Sequence, residues 1–126
     1  MALPPKLEAE LATLRLQHTI EVAEDPDFVS LVFKDFRLGE GFNVEHSNLL
    51  IRIPRSYPDA APDMFWVDRN VALANGAVPL NADSIETHLS REWRRFSWHR
   101  QQPWNPTVDN IYAYVEFITR RLREKR

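Results

Sequence analysis

A chain of 126 residues with 44% hydrophobic content is long enough to bury a core without metal or disulfide staples, and reads as one domain over residues 1–126. The absence of cysteine excludes a disulfide framework, a thiolate metal site and a thiol nucleophile. A net charge of −2 removes any overall bias toward nucleic acid or anionic lipid, so partners must be read from local features.

Leu3, Leu7, Leu11 and Leu14 recur at helical spacing with Lys6, Glu8, Glu10 and Arg15 between them, which predicts one amphipathic helix with Pro4 and Pro5 in its first turn. His18-Thr19-Ile20 switches to strand-type residues. Three strands are expected at Ile20 to Ala23, Phe28 to Phe36 and Asn48 to Ile53, separated by Glu24-Asp25-Pro26-Asp27 and Gly39-Glu40-Gly41, with a fourth at Met64 to Val67. Pro54, Pro58 and Pro62 force an extended crossing loop between the third and fourth strands, because each proline fixes φ and lacks a donor. Tyr57, between two such restricted positions, is expected to lie against the sheet. After the fourth strand the chain reads as irregular to Trp104, apart from a short helix around Ser84 to Trp93. A final helix is expected to open at Asn105 as cap and Pro106 as first residue, with Ile111, Val115, Ile118 and Leu122 as its apolar stripe. The Arg120, Arg121, Arg123, Lys125 and Arg126 cluster complements the negative end of that helix's dipole.

This α+β order of helix, four-stranded antiparallel meander, long crossing loop and helix resembles the ubiquitin-conjugating fold over nearly the whole chain. Pro54, Tyr57, Pro58, Pro62 and Phe65-Trp66 fall in the register of that family's Pro, Tyr-Pro, Pro and hydrophobic-strand motif. Trp104-Asn105-Pro106 is similar to its Trp-Ser-Pro. Asp68-Arg69-Asn70 stands where the family has His-Pro-Asn, keeping only the asparagine. Asn75-Gly76-Ala77-Val78-Pro79-Leu80 resembles its Asn-Gly-x-Ile-Cys-Leu, which puts Pro79 in place of the catalytic cysteine. The Tyr57 to Trp66 run and a Ser-x-His before the tryptophan most resemble the bacterial group, prokaryotic family E.

Proline offers no nucleophile, so thioester chemistry at position 79 is impossible. Counted back from Trp104 instead, the family's nucleophile falls next to Ser97, and the discrepancy implies an insertion carrying Ser84 to Arg95. In an extended segment residues i and i+2 point to one side, so His99 could act as base for Ser97; on a helix the two would diverge by about 200°. The resemblance implies an oxyester on Ser97 with Asn70 as oxyanion donor, against which Asn70 reads equally as a turn residue. Ser84 and Thr87 are alternative nucleophiles, or plain capping and solvated hydroxyls.

The resemblance further implies an activating (adenylating) enzyme and a ubiquitin-like protein as partners, with a JAB-type metalloprotease in the same pathway. Lys6, Glu10 and Arg15 are the exposed charges expected on the face toward the activating enzyme, or else solvated helix surface. Two other readings stand beside conjugation: a non-catalytic module that binds ubiquitin-like proteins, and, lower, a nucleic-acid strip from the interleaved cations and aromatics of Arg91 to Arg100. His88 and His99 lie too far apart, without cysteine or an acidic cluster, for a zinc site, and no cofactor is implied. His18 and His46 read as strand-edge surface residues. No apolar run approaches the roughly 20 residues of a membrane span and the first residues lack a signal-peptide core, so a soluble, cytoplasmic protein is expected.

Overall fold

A computed structural model describes residues 3–126. The order is α1 (Pro5–Leu14), β1 (Thr19–Glu24), β2 (Phe28–Arg37), β3 (His46–Pro54), β4 (Phe65–Asp68), β5 (Ser84–His88), β6 (Arg91–Phe96) and α2 (Ile111–Arg123). The strands form one antiparallel sheet in the order β1-β2-β3-β4-β6-β5. The α+β class agrees with the sequence reading; the strand count does not, since the antiparallel sheet has six strands rather than four.

The two additional strands replace the short helix expected at Ser84 to Trp93. Ile85, Leu89 and Trp93 have helical spacing, but the chain turns back at Leu89-Ser90, whose φ angles of 54° and 62° are those of a tight hairpin turn ordinarily marked by Asn-Gly. Without that marker the hairpin is hidden in the sequence. Glu86 then sits opposite Trp93 and accepts from Trp66 Nε1 at 2.9 Å and Arg95 Nη1 at 2.6 Å, tying β5 to β4 and β6. Burial alone would raise its pKa. The hydrogen bonds from His88 and Trp66 and the nearby Arg95 outweigh that and hold it below the usual carboxylate range.

Strand alternation divides the sheet into two faces. Leu31, Phe33, Leu49, Ile51, Phe65 and Val67 share one core with Leu7, Leu11 and Leu14 of α1 and Ile111, Tyr114, Ile118 and Leu122 of α2. Both helices therefore cover the same face. Val32, Leu50, Trp66 and Trp93 form a smaller buried cluster on the other.

The last helix begins later than its proline suggests. Asn110 caps it by accepting from Ala113 N–H at 2.8 Å. Asn105 instead organises the preceding turn, its side chain accepting from Thr107 N–H while its own N–H donates to Asp109. Tyr114 rather than Val115 completes the buried stripe. Arg121 is not part of a solvated basic tail: it is 2% exposed, stacked 4.1 Å from the Trp98 ring, and burial pushes its pKa down to about 10.

His18 also departs from its surface reading. It is half-buried against the rings of Phe33 and Phe36, and desolvation lowers its pKa below 6.5. The folded state thus favours the neutral ring. The stability this contributes is complete above the unfolded value of 6.5 and is lost as pH falls below it. Melting temperatures should decline as pH falls from about 7 to 5, and His18→Phe should flatten that decline; an equal slope in the variant would refute the assignment.

Candidate active site

The proline loop meets the segment before α2 through Trp104, whose Nε1 donates to Pro58 O at 2.7 Å. The Tyr57 ring lies 6.0 Å from that indole and is buried, as is Pro62. Pro54 ends β3, and Pro106 O accepts from Lys6 Nζ at 3.0 Å. The motif residues thus converge on one junction.

Two positions competed for the place of the nucleophile, and the fold brings them together. Ser84 pairs with Arg95 across the β5–β6 hairpin, so the chain leaves and returns at one point. Ser97 N–H donates to Asn81 O at 2.9 Å and Trp98 Nε1 to Leu80 O at 3.2 Å. Ser97-Trp98 therefore runs alongside Pro79-Leu80-Asn81, with Pro79 buried.

Ser97 Oγ is half-buried and accepts from Arg95 Nε at 2.9 Å, while Arg95 Nη2 reaches Ser84 Oγ at 3.4 Å. One guanidinium thus gathers two of the three candidate hydroxyls. Thr87 is exposed beyond them, opposite Glu92. No hydrogen bond joins Ser97 to His99 among the described residues. The imidazole instead holds Asp63, Nδ1 to Oδ1 at 2.6 Å. It lines a cleft of about 450 Å³ against α2, with Trp98, Arg100, Phe117, Arg120 and Arg121 among its walls.

Asn70 lies elsewhere. β4 runs antiparallel to β6 with Phe65 opposite Phe96 and Asp68 opposite Trp93, which places Asn70 near Arg91 and Glu92, with which it lines a shallow pocket. Ser97 is at the other end of the same pairing, roughly 20 Å away at about 3.3 Å per residue. Asn70 cannot serve as its oxyanion donor in this arrangement. Its carbonyl accepts from Asn43 Nδ2, which fits the turn-residue reading.

The three charges assigned to an exposed α1 face have different fates. Glu10 is 6% exposed: Tyr57 OH donates to it, with both oxygens at 2.9 Å, and Ile111 N–H donates at 2.7 Å. It is a buried clamp, not a docking charge. Burial and the Glu10 carboxylate push the Tyr57 pKa up, so the phenol stays a donor. Lys6 is half-buried and bonded to the Pro106 and Asp109 carbonyls. Only Arg15 is exposed, with one bond to Ile20 O.

The Arg91 to Arg100 strip offers no stacking platform of the expected kind. Trp93 and Phe96 are buried, and Arg91, Arg95 and Arg100 pair with Asp68, Glu86 and Asp109. Sequence reasoning missed Asp63, which stood inside the proline run and read as loop. Its partner lies 36 residues on, and no local pattern joins them.

The family model described as Prokaryotic E2 family E matches residues 4–125. The chain belongs to that family. Membership suggests a role in ubiquitin-like conjugation and implies, in general terms, an activating enzyme and a ubiquitin-like protein as partners. No curated protein and no solved structure matches. This family E chain has no cysteine, and no helix among its described residues is long and apolar enough to cross a membrane.

Proposed function

We propose that this chain accepts a ubiquitin-like protein from an activating enzyme as an oxyester on Ser97 and passes it to an acceptor, with His99 as the base. The observation that supports this reading is the bonding of Ser97 to Asn81 and of Trp98 to Leu80, which runs the Ser97 segment past the residues next to Pro79, the position that the resemblance assigns to the family's cysteine. Arg95 at 2.9 Å from Ser97 Oγ would favour the developing alkoxide electrostatically. Transfer requires that hydroxyl, still accepting from Arg95, to give its own hydrogen to His99, a contact that forms only in the loaded complex on this reading. Incubation with the activating enzyme, ATP and the ubiquitin-like protein should give an adduct that alkali and hydroxylamine cleave and thiols do not. An adduct that thiols release, or none at all, would end the oxyester reading.

One observation favours a second reading, a non-catalytic module that binds ubiquitin-like proteins. Ser97 and His99 each already have another partner, Arg95 and Asp63, as settled surface residues would. Absence of any adduct together with measurable binding would select it.

On the partner face, Arg15 is the remaining candidate for the activating enzyme, because Glu10 and Lys6 are occupied inside the fold. Arg15→Glu should slow transfer several-fold through lost electrostatic complementarity and change the melting temperature little. Unchanged transfer would remove Arg15 from that face.

A further inference from the structure

We propose that Asp63 is a positioning residue for His99, holding its imidazole so that Nε2 is the nitrogen free to take a proton. This rests on the reading of His99 as base but concerns a residue that reading does not include.

The geometry starts from the loop. Met64 has φ +58°, a left-handed backbone unfavourable for a residue with a side chain. The turn is held regardless. Met64 N–H donates to Asp63 Oδ1 at 3.0 Å, and the hydroxyl of buried Tyr114 donates to Met64 O at 2.7 Å. Burial pushes the Tyr114 pKa up, so that hydroxyl remains a donor. Pro62, buried just before, fixes the chain on the other side. The carboxylate is therefore set by its own backbone and by α2, not by a free side-chain rotor.

That carboxylate meets His99 Nδ1 at 2.6 Å. An ionised carboxylate only accepts, so in the neutral ring Nδ1 must carry the hydrogen and Nε2 the lone pair. A base held by a third group in this way is the general arrangement of nucleophile, base and orienter. When Nε2 takes the proton from an attacking hydroxyl, the nearby carboxylate also stabilises the imidazolium that forms. Asp63 itself gains no proton.

The test uses the full chain and two readouts. In the first, ¹⁵N NMR of the neutral His99 ring reports the tautomer. The wild type should be the Nδ1–H form, and Asp63→Asn, an isosteric change at an exposed side chain, should shift the population toward Nε2–H. A wild-type ring in the Nε2–H form, or a tautomer unaffected by Asp63→Asn, overturns the proposal. In the second, Asp63→Asn should slow adduct formation by roughly 10²-fold with its melting temperature nearly unchanged, and Asp63→Glu should restore part of the rate. If His99→Ala slows the adduct and Asp63→Asn does not, Asp63 loses its positioning role while the base assignment survives. If His99→Ala has no effect, the base reading fails first, and with it the catalytic part of this proposal.

Discussion

Glu10→Ala is expected to destabilise the fold by roughly 3–5 kcal/mol, the sum of stranding two buried donors that its carboxylate now accepts. Those donors are the Tyr57 hydroxyl on the proline loop and the Ile111 N–H at the start of α2. One side chain of α1 thus closes a three-way junction, and its loss releases all three elements. For a chain of this length that is a fall in melting temperature of about 10 °C or more. Glu10→Gln keeps the volume and one accepting oxygen and should cost about half as much. Tyr57→Phe removes a donor without stranding one, and should cost about 1–2 kcal/mol. Because the two groups share one network, the double variant should lose less than the sum of the singles. Urea titrations of the wild type and the four variants decide it, and a loss below about 1 kcal/mol for Glu10→Ala would show the junction to be held by packing alone.

That clamp marks where the sequence stopped being legible. Period and punctuation predict α1, β1 to β4 and the proline crossing, because alternation and proline act within a few residues. Glu10 shared the polar spacing of Lys6 and Arg15, and nothing local tells a solvated glutamate from one whose partners lie 47 and 101 positions on. The β5–β6 hairpin escaped for a different reason: Leu89 and Ser90 adopt positive φ without the residues that favour it. Asn70 is remote from Ser97 because the β4–β6 register fixes their separation, and no local signal in the sequence marks β6. By contrast, the two counts that gave Pro79 and Ser97 fall on segments joined by the β5–β6 hairpin, because a hairpin returns the chain to its point of departure. The family resemblance does not depend on these elements, because its residues cluster at the junction of Tyr57, Pro58 and Trp104.

Ser97→Ala is expected to abolish the adduct, since no thiol exists anywhere in the chain to carry the acyl group instead. In the proposed step, Ser97 Oγ attacks the thioester carbonyl of the incoming ubiquitin-like protein. A C–O bond forms, the C–S bond to the activating enzyme breaks, and His99 takes the hydroxyl proton and returns it to the departing thiolate. An unassisted serine hydroxyl is a weak nucleophile at neutral pH, so His99→Ala should slow the step by roughly 10²-fold or more. The serine substitution itself loses only the bond from Arg95 Nε, about 1 kcal/mol, so the protein should remain folded. Ser97→Cys supplies the positive control, because it should turn a thiol-resistant adduct into one that thiols cleave. An adduct that persists in Ser97→Ala would move the acceptor first to Ser84, which shares the Arg95 guanidinium, and only then to Thr87. If neither the wild type nor Ser97→Cys forms an adduct under any condition, the position is not reached by the activated carboxyl, and measurable binding would then select the non-catalytic module.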